Sequence, residues 1–241
     1  MKVDYIDHMG SDLSVVNAAR VSFDKTSDWH IDTKEIKIED EFGAWTGSVT
    51  TIPVNNSKRL KDSDAKLINY LASHGHWSPF AHTSVCFRFK APIFVARQLV
   101  KHQVGLTWNE VSRRYVKNAP ELWWPEKWRK AAENVKQGSS DEEFDGRSNC
   151  LDYAVDEAFQ AVGRYEMLVH EGMCPEQARM FLPLNTYTEW IWTGSLYAWA
   201  RVWKQRTYPT TQKETQECVK LIGPTMERLF PVSWADRKSV V

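Results

Sequence analysis

The 241-residue sequence lacks the features that mark several large classes of protein. It carries no net charge, because 31 lysines and arginines balance 31 aspartates and glutamates. No overall electric field therefore draws the chain to nucleic acid or to an anionic membrane. No apolar run approaches the roughly 20 residues that cross a bilayer. We see no internal repeat and no low-complexity segment, and we expect neither a nucleic-acid partner nor a membrane partner.

Cysteine is scarce and scattered. The four cysteines are Cys86, Cys150, Cys174 and Cys218, and no two of them form a C-x-x-C pair. This spacing indicates reduced thiols and argues against a disulfide framework or a zinc site. The N-terminus has early acidic residues and no apolar segment of the kind found in a secretion signal. These features favour a cytoplasmic protein without a bound metal.

The composition is that of an ordinary folded domain with an excess of tryptophan. Apolar residues make up 42% of the chain and charged residues 26%, which is enough for a real core. The length fits one large domain or two small ones. Most of the twelve tryptophans are expected to anchor the core or subunit interfaces. The alternative for a few of them is stacking against the ring of a bound cofactor.

Hydrophobic periodicity predicts strands and helices without a regular βαβ alternation. Strands are predicted for residues 2–6, 48–52 and 83–90. Helices or short helical turns are predicted for residues 15–23, 63–73 with Ser63 as N-cap, 92–100, 150–171, a few residues from Pro175, 194–205, and 211–230 with a Thr211–Glu214 capping box. The stretch 117–149 is polar and Trp-rich, with a loop-like GSSDEEFDG near its end. This mixture favours the α+β class.

The segment from Arg97 to Tyr115 carries more polar and charged side chains than an ordinary amphipathic helix. Its cations are Arg97, Lys101, His102, Arg113 and Arg114. Guanidinium groups beside a hydroxyl and exposed backbone N–H groups suit a phosphate. The Asn109-Glu110 pair offers donors and acceptors to a polar ring or a sugar. Taken alone, the segment indicates either an anion site or a charged turn at an oligomer interface.

This segment resembles the signature of the flavin-dependent thymidylate synthases, which make dTMP from dUMP without a cysteine nucleophile. The family signature reads Arg-His-Arg, a short spacer, Ser, one residue, Asn-Glu, one residue, Ser, one residue, Arg-Tyr. This sequence supplies, in the same order, Lys101-His102-Gln103, a spacer one residue longer, Thr107, Asn109-Glu110, Ser112 and Arg114-Tyr115.

Three further blocks resemble the family, so the resemblance covers nearly the whole chain. They are AARVSFD (18–24), HGHWSPFAH followed by KAPIFVARQ (74–98), and ARMFLPLNTYTEWIW (178–192) running on to Gln205-Arg206. The resemblance implies a single α+β domain over residues 1–241, with an antiparallel-rich mixed sheet flanked by helices, assembled as a homotetramer. Residues 25–61 exceed the usual family spacing and are expected to be an insertion, such as a hairpin over the active site.

The resemblance also implies a reaction and its small molecules. A one-carbon unit from 5,10-methylenetetrahydrofolate is added to C5 of dUMP, with FAD as the cofactor and NADPH as the reductant. The residues implied for dUMP binding are Gln98, Lys101, Glu110, Ser112, Arg113, Arg114, Arg179 and Arg206. The residues implied for FAD binding are Ser22, His76, Ser78, Lys101, His102, Gln103, Glu110, Ser195 and Arg201.

Arg206 is the residue implied for catalysis. A permanently charged guanidinium at the pyrimidine edge would stabilise negative charge that develops on the ring. The alternative for Arg206 is a cation at a helix C-terminus that interacts with the helix dipole. The alternative for His102 is an ordinary polar residue with no contact to the cofactor.

Three departures from the family pattern bear on the cofactor site. The triad reads Lys-His-Gln at positions 101–103, and Lys101 keeps the positive charge but loses the bidentate fork of arginine. One residue is added before Thr107. In the predicted helix 194–205, family residues that usually read Asn, Arg and Asn or His are replaced by Ser195, Tyr197 and Arg201. We expect Arg201 to compensate by reaching the FAD phosphates.

Two other functions remain as alternatives. The first is a relative that binds flavin and nucleotide but has lost methyl transfer. The second is a module that stacks single-stranded nucleic acid on its aromatic rings, against which the neutral charge and the lack of a basic stripe argue. A cysteine nucleophile is disfavoured, since the nearest candidate, Cys174, precedes Pro175 at an expected helix start.

Overall fold

A four-stranded antiparallel sheet lies at the centre of the computed structural model, which describes residues 1–116, 118–133, 138–146 and 148–235. Its strands are β1 (Lys2–Met9), β4 (Ser84–Pro92), β5 (Leu106–Glu110) and β8 (Tyr187–Gly194). Their order across the sheet is β1-β4-β8-β5, and each pairing is antiparallel. The expected α+β class is therefore confirmed, although the described sheet is wholly antiparallel where a mixed sheet was expected.

Helices flank this sheet. In chain order they are α1 (Asp12–Arg20), α2 (Asp62–Ser73), α3 (Ile93–Leu99), α4 (Ser148–His170), α5 (Pro175–Ala178), α6 (Leu196–Arg206), α7 (Lys213–Lys220), α8 (Gly223–Leu229) and α9 (Pro231–Ala235). Short 3-10 turns lie at Val21–Phe23, Ser78–Ala81 and Arg179–Phe181. Most of the predicted helices are confirmed, with ends shifted by a few residues.

Two further pairs of strands form hairpins outside the central sheet. The first joins β2 (His30–Glu39) to β3 (Trp45–Arg59), so the predicted strand 48–52 is confirmed within a longer one. The second joins β6 (Arg129–Ala131) to β7 (Ser139–Glu143). It was missed because residues 117–149 show no clear alternation. The status of residues 25–61 as an insertion stays a prediction.

Aromatic rings fill the space between the sheet and α6. The ring of Phe89 on β4 stacks on Trp190 at 5.1 Å and on Trp199 of α6 at 6.2 Å between centroids. Trp192 meets Trp199 edge-on at 4.9 Å. The indole N–H of Trp199 donates to the backbone oxygen of Val85 at 3.1 Å, which satisfies a polar group inside the core. These contacts fix α6 against the sheet.

The C-terminal helical region differs from the prediction of one helix over residues 211–230. It breaks between α7 and α8, where Gly223 lies so close to Trp203 that an added Cβ would stand 3.0 Å from the indole ring. The predicted capping box is also wrong. Gln212 is the N-cap of α7, and the carboxylate of Glu214 is instead held by Arg129 at 2.6 Å. Ser63 is likewise not an N-cap, since α2 begins at Asp62.

The long helix α4 leaves much of its apolar surface uncovered within one chain. Ala158 and Tyr165 are buried. Tyr153, Phe159 and Met167 are 69%, 56% and 56% exposed. Large apolar side chains in such numbers on one helix are typical of a surface that another protein chain covers.

A buried carboxylate ties the turn after α1 to α2. Asp64 is fully buried, and its two oxygens accept hydrogen bonds from the guanidinium of Arg20 and the hydroxyl of Ser27. The side chain of Asn17 also binds the backbone of Ser27 in both directions, at 2.7 and 3.1 Å. This network holds the 3-10 turn that carries Ser22.

Replacement of Asp64 by alanine should lower the free energy of unfolding by about 3 kcal/mol, because it leaves the guanidinium of Arg20 without its buried partner. Asp62→Ala is the matched control on the same helix, since the side chain of Asp62 is 89% exposed; its effect should stay below about 0.5 kcal/mol. Urea unfolding at one fixed protein concentration measures both values. Equal effects of the two changes would contradict this account.

Candidate functional site

Arg206, the last residue of α6, lines a cavity of about 280 Å³ together with the turn that follows α3. The lining residues are Lys101, His102, Gln103, Val104, Leu106, Ala198, Arg201, Gln205 and Arg206. We call this the Arg206 cavity. No carboxylate belongs to its lining among the described residues, whereas three cations do. Such a donor set suits an anionic ligand.

The Arg206 cavity depends on a close approach between two backbone segments. Gly105 has a φ of +74°, a left-handed conformation that side chains other than glycine rarely adopt. A Cβ on Gly105 would stand 3.1 Å from the Cβ of Ala198. The hydroxyl of Ser195 accepts a hydrogen bond from the backbone N–H of Ala198 at 3.2 Å and thereby caps α6. Gly105 and this cap together bring residues 101–105 against α6.

The guanidinium of Arg206 is held by two uncharged acceptors. Its Nε–H donates to Nε2 of His102 at 2.6 Å, and Nη2 donates to the backbone oxygen of Gln98 at 3.0 Å. Burial lowers the pKa of Arg206, but guanidinium stays charged at any physiological pH. Arg206 therefore presents a fixed positive charge that no described carboxylate of the cavity lining neutralises.

The imidazole of His102 is kept neutral by its surroundings. Burial lowers its pKa from 6.5 to about 4, and the charges of Arg206 and Arg201 add to the effect. A neutral imidazole has one nitrogen free to accept a hydrogen bond. Here that nitrogen is Nε2, which faces the Nε–H of Arg206.

A second cavity, of about 420 Å³, lies at the other end of the sheet's β5 and β8 strands; we call it the Arg179 cavity. Its charged lining residues are Arg88, Lys90, Glu110, Arg113, Glu121, Arg179 and Glu189. Arg88 pairs with Glu189 at 2.6 Å, and Lys90 pairs with Glu121. The two sets of cavity residues, around Arg206 and around Arg179, share no member.

Two arginines of the Arg179 cavity have no acidic partner among the described residues. Arg113 donates to the backbone oxygen of Asn118 at 2.6 Å. The side chain of Arg179 makes no hydrogen bond or ion pair within the part of the chain that the structure describes. Glu110 is oriented by two donors, the hydroxyl of Thr188 at 2.7 Å and the indole N–H of Trp108 at 3.2 Å. The cavity thus combines free positive charge with a fixed acceptor.

The remaining residues expected to bind dUMP lie near these cavities without lining them. The side chain of Gln98 points to α7, where it bonds Gln212 at 2.5 Å and Thr215 at 3.1 Å. Only its backbone oxygen reaches Arg206. Ser112 accepts from the Nε–H of Arg114 at 3.4 Å in the loop next to Arg113. Arg114 also lies 3.5 Å from a carboxylate oxygen of Glu176.

Three residues expected to contact FAD lie on exposed turns outside both cavities. Ser22 belongs to the turn after α1, and Ser78 begins the 3-10 turn Ser78–Ala81. The imidazole of His76 stacks on the ring of Tyr70 at 6.2 Å. The neighbouring Trp77 contacts Tyr197, at 5.4 Å between centroids, and the guanidinium of Arg201 lies 5.8 Å from the same ring. This row of rings connects the His76 turn to the Arg206 cavity.

The structure adds cavity residues that the sequence analysis did not single out. Arg88 and Lys90 line the Arg179 cavity from β4, and Tyr187 lines it from β8. In the strand predicted over residues 83–90, Arg88 and Lys90 alternate with Phe87 and Phe89, which marks a polar face. That signal was available, but nothing in the sequence showed which loops would cover the face.

The cysteines stand apart from both cavities. Cys218 is fully buried, and burial raises the pKa of its thiol to about 12. Cys150 and Cys174 are exposed, and Cys86 is half-buried. None of the four lines either cavity.

Within the described ranges no three His, Cys, Asp or Glu side chains cluster as a metal site. No helix there is both long and apolar enough to cross a membrane.

The fold and the two cavities define a class of protein, an α+β domain with cation-lined cavities that suit anionic small molecules. Comparison with known families identifies it further, since the model of the thymidylate synthase complementing protein family matches residues 4–232. The chain therefore belongs to this family, the flavin-dependent thymidylate synthases, as its sequence motifs indicated.

Individual relatives agree with this membership. A flavin-dependent thymidylate synthase of Thermus thermophilus is 34% identical over 233 residues, which cover 97% of this chain and 74% of the relative. The flavin-dependent thymidylate synthase of Thermotoga neapolitana is 34% identical over 229 residues, which cover 95% of this chain and 87% of the relative. The crystal structure of a UMP/dUMP methylase, PolB from Streptomyces cacaoi bound with 5-Br dUMP, is similar with a TM-score of 0.76 and 26% identity over 99% of this chain and 94% of that one.

The low pKa of His102 leads to a direct prediction. In a ¹H–¹³C NMR titration its imidazole should protonate near pH 4, well below 6.5. The unfolded chain takes up this proton below pH 6.5, so the group reduces stability as the pH falls from 6.5 towards 4.

His102→Gln assigns the resonance, and Arg206→Ala should raise the midpoint because it removes one of the charges that lower the pKa. A midpoint at or above 6.5 in the unmodified chain would show that the imidazole is not buried beside Arg206 as described.

Proposed function

We propose that this protein converts dUMP to dTMP by reductive methylation, with 5,10-methylenetetrahydrofolate as the one-carbon donor, NADPH as the reductant and FAD as the cofactor. No enzyme nucleophile takes part. The proposal rests on the guanidinium of Arg206, which His102 and the backbone oxygen of Gln98 hold in place by hydrogen bonds. The cavity that it lines has no carboxylate among its described residues, so its positive charge is not neutralised there. The family membership supplies the reaction to which this arginine belongs.

The proposed catalytic task of Arg206 follows from the chemistry of uracil. C5 is a poor nucleophile, and its attack on the one-carbon unit places negative charge on the pyrimidine ring. A fixed guanidinium next to that ring stabilises the charge without having to reorient during the reaction. Because its two described partners are neutral, Arg206 brings its full charge to the substrate.

The phosphate of dUMP is assigned to the Arg179 cavity and the loop beside it. Arg113 and Arg179 have no acidic partner among the described residues there, so a phosphate can accept hydrogen bonds from both guanidinium groups. Ser112 and Arg114 extend the same loop and add a hydroxyl and a further cation. Glu110 keeps its carboxylate oriented and accepts a hydrogen bond from the sugar or the ring. Lys101 and Gln98 are assigned to the Arg206 side of the nucleotide.

The Arg206 cavity fits an anionic dinucleotide cofactor by its donor set. Lys101, His102, Gln103 and Arg201 line it, with no acid among the described members. We assign Arg201 to the FAD phosphates, and Ser22, His76, Ser78, Ser195 and Glu110 to further cofactor contacts. When bound, FAD supplies the hydride that completes the methyl group. Ser195 also caps α6, so it contributes structure as well as a hydroxyl.

We infer that a complete site is built from two chains of a homotetramer. The proposed nucleotide contacts divide between two cavities that lie at opposite ends of β5 and β8 and share no lining residue, which supports a site completed by a second chain. Pairing of the Arg206 cavity with the Arg179 cavity of a neighbouring chain joins both sets around one nucleotide. The exposed apolar residues of α4 support an assembly of this kind.

Light scattering in the presence of FAD should give the mass of a tetramer. Met167 is 56% exposed on α4, so Met167→Asp should weaken the assembly by placing a charge in an apolar interface, whereas the control Met167→Leu should not. A monomeric protein at micromolar concentration would contradict the inference of shared sites. A tetramer unaffected by Met167→Asp would exclude α4 from the interface.

Arg206 and Arg114 should respond differently to removal. Arg206→Ala should slow methylene transfer about 100-fold or more even at saturating dUMP, because it removes charge stabilisation made in the transition state. Arg114→Ala should mainly weaken dUMP binding, by about tenfold, because a phosphate contact is equally strong in the ground state and in the transition state. Anaerobic rapid-quench assays with prereduced flavin measure both effects.

Arg228→Ala is the control, since Arg228 is exposed and lines neither cavity. It should leave binding and transfer unchanged. Methylene transfer by Arg206→Ala at nearly the unmodified rate would refute the assignment and make Arg179 the next candidate.

UMP is a second candidate substrate, because the similar solved structure is that of a UMP/dUMP methylase. Parallel assays with UMP and dUMP at equal concentration decide between the two nucleotides. A yellow protein that binds dUMP but methylates neither nucleotide would instead identify a relative without methyl transfer. Affinity for single-stranded oligonucleotides in place of dUMP would favour the nucleic-acid module.

A further inference from the structure

The contact between His102 and Arg206 has a geometry that a simple cofactor contact does not require. The two side chains come from segments 104 positions apart, yet Nε of Arg206 lies 2.6 Å from Nε2 of His102. Nη2 of the same guanidinium donates to the backbone oxygen of Gln98 at 3.0 Å. Both acceptors face one edge of the guanidinium plane.

This arrangement leaves a defined set of donors for a ligand. The Nε–H and one N–H of Nη2 are occupied by the two acceptors. Both hydrogens of Nη1 and the second hydrogen of Nη2 remain, and one hydrogen from each of these nitrogens forms the end of the guanidinium fork. The occupied edge fixes the plane of the group, while the free end is available to a polar ring.

The charged groups around His102 explain why a neutral acceptor is found there. Arg201 and Arg206 face it from α6, and Lys101 lines the same cavity from its own segment. No described lining residue is acidic. A carboxylate in the place of His102 would orient Arg206 equally well, but it would also neutralise the charge. A neutral imidazole orients the guanidinium and leaves its charge to the substrate.

We propose that His102 is a positioning residue, which holds the guanidinium of Arg206 in place by accepting its Nε–H and leaves the free end of the fork to the pyrimidine. This role is additional to any contact that His102 makes with the cofactor. The inference rests on the proposed function, since it concerns the arginine assigned to the transfer step.

The test is a double-mutant cycle in the flavin-loaded protein. The variants are His102→Leu, His102→Gln, Arg206→Ala and the double variant His102→Leu/Arg206→Ala. Each is measured for flavin content, for reduction of the flavin by NADPH, and for methylene transfer at saturating dUMP with prereduced flavin. Long incubations allow the small residual rates of the Arg206→Ala variants to be followed.

His102→Leu should slow methylene transfer by about 100-fold, because a guanidinium free to swing no longer meets the ring in the reactive geometry. His102→Gln should keep most of the rate, since the amide oxygen of glutamine accepts the same Nε–H. In the Arg206→Ala background, His102→Leu should cost nothing further, because there is no guanidinium left to position. Rates are expressed per bound flavin, so that a loss of flavin through the cofactor contact assigned to His102 is not counted as a loss of positioning.

Several results would overturn the proposal, and they separate it from the proposed function. If His102→Leu costs the same factor with and without Arg206, the imidazole acts independently, for example through the flavin. If His102→Gln loses as much rate as His102→Leu, acceptance of the Nε–H is not what matters. If Arg206→Ala transfers the methylene at the unmodified rate, the catalytic assignment of Arg206 fails and the positioning role fails with it.

Discussion

Stacked aromatic rings between the central sheet and α6 determine where the charged groups of this protein lie. Phe89 lies between Trp190 and Trp199, and Trp108 on the edge strand β5 stacks on Trp190 at 4.3 Å. The same packing therefore fixes α6, which ends at Arg206, and β5, which ends at Glu110. Rings of this size bury a large apolar area and accept few alternative arrangements. The ring packing therefore sets the positions from which Arg206 and Glu110 extend.

The protein uses its cations in two different ways. Some are neutralised by carboxylates, as Arg129 is by Glu214 and Arg88 is by Glu189, and these pairs fasten hairpins and strands to their neighbours. Others are oriented by neutral groups, as Arg206 is by His102. Only the second kind keeps charge available for an anionic ligand. The distinction explains why a chain with no net charge carries two cavities suited to anions.

The sequence predicted what depends on local pattern and missed what depends on distant partners. The alternation of Val85, Phe87 and Phe89 identified β4, and the family motifs identified the arginines. The capping role of Glu214 was wrong because its carboxylate is taken by Arg129, 85 positions away. No local signal showed that Nε2 of His102 would meet Arg206. Whether the predicted residues act in catalysis and binding stays a prediction.

We propose that one catalytic site takes Arg206 from one chain and Arg179 from another. Subunit complementation tests it most directly. Arg206→Ala and Arg179→Ala proteins, each impaired in dTMP formation at limiting dUMP, are mixed under conditions that exchange subunits, and the activity is then measured at the same dUMP concentration. A shared site predicts that activity reappears on mixing, because some interfaces then combine an intact Arg206 with an intact Arg179. If the exchanged hybrids form but stay as impaired as the separate variants, both arginines of a site come from one chain, and a shared site is contradicted.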